Sequence, residues 1–211
     1  MSVCEKCSRF HLRFDRPYTP EDFLHGQRNA LVWIIGLNPK GEDGYNDSDS
    51  SEKRLNCFSE EQFRRKPDRY YARFGKVLPW LLHTLGKEGG VAHTDLIKCY
   101  SPQFPPANVK GHDVNLMIQN CIGYLATQIR THKPRIIICH GSPVGRYIEN
   151  ILPPPTGTDN HANSYKSHID GLEVTVVRTG FLSQMDNYSK KRLASEIAHH
   201  LEEINIDVHG A

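Results

Sequence analysis

Four short apolar runs punctuate the chain, at residues 31–37, 91–97, 135–139 ("RIIIC") and 172–177 ("LEVTVV"). Each has strand length and a wealth of β-branched residues, so each predicts a buried strand. Between them the apolar spacing lengthens to three and four. Residues 69–85 set Leu78, Leu81, Leu82 and Leu85 on one face, and residues 113–131 repeat the pattern with Val114, Met117, Cys121, Leu125 and Ile129, which predicts helices. Further helical segments are expected at 141–151 and 188–204. Strands alternating with helices predict an α/β chain whose mostly parallel sheet is covered on both faces, with any site at the carboxyl ends of the strands. Residues 40–56, rich in Gly, Asp and Ser, and residues 152–168, rich in Pro, Thr, Asn and His, break the pattern and are expected to be long surface loops near those ends.

A length of 211 residues suits one domain with a substantial core and is short for two. The net charge of +2 excludes a strongly basic nucleic-acid coat and permits a local basic groove. The opening MSVCEKCSRFHLRF carries charges and cysteines where a secretory signal needs apolar residues, and no segment has the length of a membrane span, so a cytoplasmic protein is expected. In that reducing compartment the six cysteines point to metal ligands or nucleophiles rather than to three disulfides.

The candidate chemistry sits at the predicted strand ends. The first strand exits through Gly36-Leu37-Asn38-Pro39, where glycine permits close approach of a ligand and the proline restricts Asn38 to extended backbone angles. Such an Asn-Pro either begins a turn or holds an amide aimed at a water. The second run contains Asp95, a carboxylate inside an apolar segment that needs a partner. The third ends in "CHGSPVGRY", whose glycine and serine open a helix with free amides. Cys4 and Cys7 form a C-x-x-C, and Cys99 and Cys121 follow the second strand, a set suited to one closed thiolate site holding zinc or a [4Fe–4S] cluster. Cys139, inside a strand, reads as packing, and Cys57 has no assigned role.

In this order the motifs resemble the uracil-DNA glycosylase superfamily, and within it the iron–sulfur branch often called family 4. The resemblance lies in Cys4 and Cys7, in the G-x-x-P at Gly36 to Pro39, in Asp95-Leu96-Ile97-Lys98-Cys99 set against the branch's N-x-x-K-C, in Cys121, and in "KPRIIICHGSPVGRYI" from Lys133. It implies a three-layer α/β/α sandwich with a four-stranded, mostly parallel sheet. Residues 1–28 would be a metal-ligand extension packed on a single domain. A [4Fe–4S] cluster on Cys4, Cys7, Cys99 and Cys121, structural rather than redox-active, is also implied. The implied activity is cleavage of the N-glycosidic bond of a damaged base in DNA, flipped out of its stack, by a monomer. Asn38 falls where the family positions the attacking water, and its Asn-Pro form is similar to the mismatch-specific and single-strand-selective relatives.

Two departures from the family pattern bear on the substrate. Asp95 stands where an asparagine often reads the uracil edge; an ionised aspartate only accepts hydrogen bonds and would oppose a uracil oxygen, so another base, or a protonated Asp95, is called for. The last motif reads Val177-Arg178-Thr179-Gly180-Phe181-Leu182-Ser183 without the family's histidine, and Arg178 or Thr179 takes its place according to register. Tyr70 or Tyr71 would stack on the base, beside substrate contacts from Gly36, Leu37 and Pro39. Arg64, Arg65, Lys66, Arg69 and Arg73 on one side, and Lys190, Lys191 and Arg192 on the other, are candidate phosphate contacts. The competing expectations are a diverged, non-catalytic binder of nucleic acid or nucleotide, and a zinc-stabilised enzyme acting on a small phosphorylated molecule.

Overall fold

The computed structural model describes residues 2–12, 14–16, 18–39, 69–101, 103–106, 109–159 and 163–207. Cys57, Arg64, Arg65, Lys66 and the expected loop at 40–56 lie outside the described residues.

The four apolar runs form strands, and a fifth strand joins them. The strands are β3 (Val32–Gly36), β4 (Val91–Asp95), β5 (Ile136–His140), β6 (Ser164–Ile169) and β7 (Leu172–Thr179), and they assemble in the order β4-β3-β5-β7-β6. All neighbouring pairs run parallel except β6 and β7, which are antiparallel. The expectation of four strands is thus corrected to five, and part of the stretch expected to be a loop at 152–168 is strand β6. The reason is visible in its sequence, Ser-Tyr-Lys-Ser-His-Ile, which buries alternate residues, Tyr165, Ser167 and Ile169. An edge strand with one solvated face carries no continuous apolar run.

Helices cover both faces. Trp33, Ile35, Ile137, Val174 and Val176 pack with Met117, Ile118, Leu125 and Ile129 of α3 (Gly111–His132), and with Val144 and Ile148 of α4 (Ser142–Ile148). On the other face Val32, Ile34, Ile136, Ile138 and Val177 meet Tyr71, Phe74 and Val77 of α1 (Arg69–Val77), Trp80 and Leu81 of α2 (Pro79–His83), and Leu193, Ile197 and Leu201 of α5 (Asn187–Glu203). The single helix expected over 69–85 is two, because Pro79 forces Leu78 into the extended region (φ −143°, ψ 114°) and then serves as the first residue of α2.

The amino-terminal segment is built into the first of these layers. Ser2–Cys4 (β1) pairs antiparallel with Phe14–Arg16 (β2), and Phe14, Tyr18 and Phe23 lie in the same apolar cluster as α3. His25 covers the free edge of β4 by exchanging two backbone hydrogen bonds of 2.7 Å with His93.

A buried ammonium ties these parts together. Lys98 is 1 % exposed, and its Nζ donates to Thr94 Oγ1 (2.7 Å), the Asp95 carbonyl (2.6 Å) and Gln128 Oε1 of α3 (2.7 Å). Gln128 in turn donates to the carbonyls of Glu21 (2.8 Å) and Phe23 (3.0 Å), and Thr94 also donates to Phe23 (2.6 Å). Burial pulls the Lys98 pKa down to about 7, against the Asp95 charge, which pushes it up. Replacing Lys98 by Met would keep the volume and strand its buried acceptors. The expected loss is about 3 kcal/mol, or roughly 10 °C in Tm, read by thermal and urea unfolding.

Candidate active site

The register of the parallel strands brings their carboxyl ends into one row. Gly36 stands opposite Asp95, Ile35 opposite Cys139, and His140 opposite Thr179. Alternation along β4 puts His93 and Asp95 on the α1 side of the sheet, and the same alternation puts His140 and Thr179 there. Gly36 is essential to this convergence. A Cβ at that position would sit 2.3 Å from Asp95 Oδ1, 3.0 Å from the Tyr70 hydroxyl and 3.1 Å from His93 Nε2.

Asn38 follows two residues later and is 6 % exposed. Its Nδ2 donates to the Pro39 carbonyl (3.1 Å) and the Ser101 carbonyl (2.8 Å). Because both neighbours are acceptors, the amide orientation is fixed, and Oδ1 is left buried without a partner among the described residues. Ser101 closes the clip from the other side, its N–H donating to Pro39 (3.1 Å) and its hydroxyl to the Gln103 carbonyl. Leu37, partly buried, packs toward the opposite face, with its carbonyl accepting from Ile97 (2.9 Å).

Histidines that sequence reasoning passed over fill the row. The Tyr70 hydroxyl lies 3.0 Å from His93 Nε2, which is 4.0 Å from Asp95 Oδ1. The Tyr71 hydroxyl lies between His93 Nδ1 (3.5 Å) and His25 Nδ1 (3.0 Å). Tyr70 is therefore the tyrosine that faces the row, and Tyr71 stands behind it, buried. Burial, reinforced by the charges of His140 and Lys98, holds the His93 pKa down to about 3, so this imidazole is neutral at physiological pH. His140 accepts a hydrogen bond at Nε2 from the Leu182 N–H (3.2 Å) and packs edge-on against Tyr70, Phe74 and Phe181. Gly141, with φ of 108°, admits the Phe181 ring, which a Cβ there would meet at 2.6 Å. The signal for His93 was its spacing of two from Asp95, which places both on one strand face.

The two alternatives in the last motif separate. Thr179 lies beside His140 in register and donates to the Gly180 carbonyl (3.1 Å), with Met185 Sδ 3.2 Å away. Arg178 projects to the opposite face, where it pairs with Glu149 (2.9 Å) and lies over the Tyr165 ring. Of the candidate phosphate contacts, Arg69 and Arg73 are exposed on α1, and Lys191 and Arg192 are exposed on α5, with Lys190 half-buried beside them.

The cysteines form a second centre beneath α3. Cys7, Cys99 and Cys121 are buried, while Cys4 is half-buried with its Sγ 3.4 Å from the Tyr124 hydroxyl. The thiols of Cys121 and Cys99 donate to Cys7 and bring its pKa down to about 3, whereas Cys99 and Cys121 are pushed up by that same contact and by burial. Asn120 Nδ2 donates to Cys7 Sγ (3.4 Å), and the Lys98 backbone N–H is directed to Cys121. Converging soft donors, one held as thiolate and two receiving N–H bonds, fit a thiolate-bound metal and its outer hydrogen bonds. Cys139 is fully buried away from this group, and burial pushes its thiol up, as packing requires.

A mostly parallel sheet between helical layers thus carries a polar row and a fixed amide at its carboxyl ends. Residues 23–200 match the family model of the Uracil DNA glycosylase superfamily. The chain belongs to that superfamily. No curated protein matches the sequence. No helix among the described residues is long and apolar enough to cross a membrane.

The neutral state of His93 has a measurable consequence. The unfolded chain takes up a proton at this residue below the ordinary pKa of 6.5, and the folded protein does so only near 3, so stability present above 6.5 is lost as pH falls. Between pH 6.5 and 5 the loss is about 2 kcal/mol. Urea unfolding across this range should show a slope that flattens by that amount in His93→Gln.

Proposed function

We propose that the protein is a DNA glycosylase that hydrolyses the N-glycosidic bond of a flipped-out deaminated or damaged base. The observation that carries this reading is Asn38, its nitrogen pinned between two carbonyls and its buried Oδ1 left to accept. A water that donates to Oδ1 turns a lone pair toward the sugar carbon. An amide takes up no proton near neutral pH, so Asn38 orients the water and does not deprotonate it. The C1′–N bond breaks first, its electron pair leaving on the base; the water oxygen then bonds to C1′ and releases its proton afterwards.

Base choice follows from the polar row. His93 Nε2 lies 4.0 Å from Asp95 Oδ1, and the buried Lys98 ammonium, which donates to the Asp95 backbone oxygen, adds positive charge nearby. A carboxylate there complements a base edge that presents donors, such as an amino group beside a ring N–H, better than it complements the oxygens of uracil. Tyr70, half-buried at the mouth of the row, is the stacking partner, and Thr179 is the last-motif residue on the reacting side. Arg69, Arg73 and the α5 cations hold the flanking phosphates of DNA. The cluster is [4Fe–4S] on Cys4, Cys7, Cys99 and Cys121, with zinc as the alternative. Its contribution is structural: it fastens the amino-terminal segment to β4 and α3 beside the clip that holds Asn38.

The test is base release from oligonucleotides carrying uracil, hypoxanthine, xanthine or a thymine mismatch, in single and double strands. Abasic product that falls about 100-fold in Asn38→Ala is the expected outcome. Asp95→Asn should move the preference toward uracil by at least about 10-fold. No product from metal-replete protein across the panel would leave the non-catalytic binder as the better reading. The cluster has its own readout: visible absorption, which zinc does not give, should be present in the purified protein and lost in Cys99→Ala.

A further inference from the structure

A groove leads away from Thr179 along α5. A cleft of about 190 Å³ opens beside Thr179, Gly180 and Met185 and adjoins a shallower depression of about 470 Å³ lined by Lys191 and Ser195. The two share Asn163, Arg192 and Glu196. At the start of the same helix Tyr188 is 71 % exposed, and the Arg192 guanidinium lies 6.0 Å from its ring centroid.

Packing does not account for that tyrosine. The buried stripe of α5 is Leu193, Ile197 and Leu201, and Tyr188 lies about 140° round the helix from Leu193. Tyr188, Lys191, Arg192 and Ser195 instead follow the spacing of one helical face, directed outward. An exposed aromatic with cations three and four residues on offers a ring to a base and positive charge to its phosphates. Among the described residues neither Lys190 nor Lys191 is engaged in an ion pair. Glu196 lies in the groove with opposite charge, so the phosphates belong at the rim where Lys191 and Arg192 stand.

We infer that this face of α5 binds single-stranded DNA continuing from the nucleotide in the candidate site, with Tyr188 stacking on an unpaired base and Lys191 and Arg192 holding the backbone. The direction of the strand rests on the glycosylase reading; the contact itself does not. Paired bases keep their faces inside the duplex stack, so a stacking tyrosine discriminates in favour of unpaired DNA, whereas the cations serve both forms.

The experiment uses the full chain with its metal site intact and an end-labelled oligonucleotide free of damaged bases, offered as a single strand and as the matching duplex. Tyr188→Ala should weaken single-strand binding by about 5- to 100-fold, the worth of one stacked base, and leave duplex binding within about twofold. Tyr188→Phe should restore single-strand binding. Lys191→Ala should weaken both forms and lower the salt dependence by about one phosphate contact. Single-strand affinity unchanged in Tyr188→Ala, or a loss that falls equally on the duplex, would overturn the inference. Base release in Asn38→Ala is measured separately: activity that survives there removes the glycosylase mechanism and leaves the Tyr188 result standing.

Discussion

The structure depends on the placement of one buried cation. Lys98 has three oxygen partners, two on the strand β4 (Thr94 and Asp95) and one on the long helix α3 (Gln128), and Thr94 and Gln128 extend the network to the Glu21 and Phe23 carbonyls of the amino-terminal segment. An ammonium so deeply buried is tolerated only with its protons satisfied, since the desolvation cost of an unpaired one is several kcal/mol. The network therefore admits one arrangement of strand, helix and segment. The neighbours of Lys98 in sequence inherit that precision: Asp95 on one side reaches the polar row, and Cys99 on the other reaches the thiol group.

From Cys99 the same segment runs on to Ser101, whose carbonyl and N–H hold the Asn38 side chain and the Pro39 carbonyl. The proposed water-orienting amide and the proposed metal ligand are thus set by one short stretch of backbone. The proposed cluster would act on the proposed catalysis only through geometry, by keeping that stretch from relaxing. Such an arrangement matches a chemistry in which positioning, rather than proton transfer by Asn38, is the catalytic contribution.

Much of the fold was legible because buried parallel strands are written as continuous apolar runs, and those runs register at the expected places. Strand β6 was not, since a half-solvated edge strand such as Ser164–Ile169 alternates and resembles a polar loop. The break between α1 and α2 was carried by a single residue, Pro79, inside an otherwise persuasive leucine pattern. At the site, Asn38 and Asp95 stood out as polar residues interrupting apolar runs. His93 and His140 met the same criterion, but a histidine in a strand is ambiguous until its neighbours across the sheet are known. The separation of Arg178 from Thr179 is a matter of strand parity, which a one-residue uncertainty in register conceals.

On the proposed glycosylase reading, the departures from the family pattern that the sequence resembles become coherent when taken together. An asparagine at position 95 would suit a pocket that must both donate and accept, and the loss of the last-motif histidine removes a group able to meet a developing negative charge on the departing base. Asp95 beside the neutral His93 and the Tyr70 hydroxyl gives up the amide donor and adds negative charge, which would make the departure of a base as an anion harder. A base that leaves neutral, already protonated or presenting donors to Asp95, escapes that penalty. On that proposed reading these two departures favour a substrate whose leaving group is held by an acceptor, and Gly36, whose lack of a side chain lets Asp95, Tyr70 and His93 meet, keeps that acceptor at the point where the strands end.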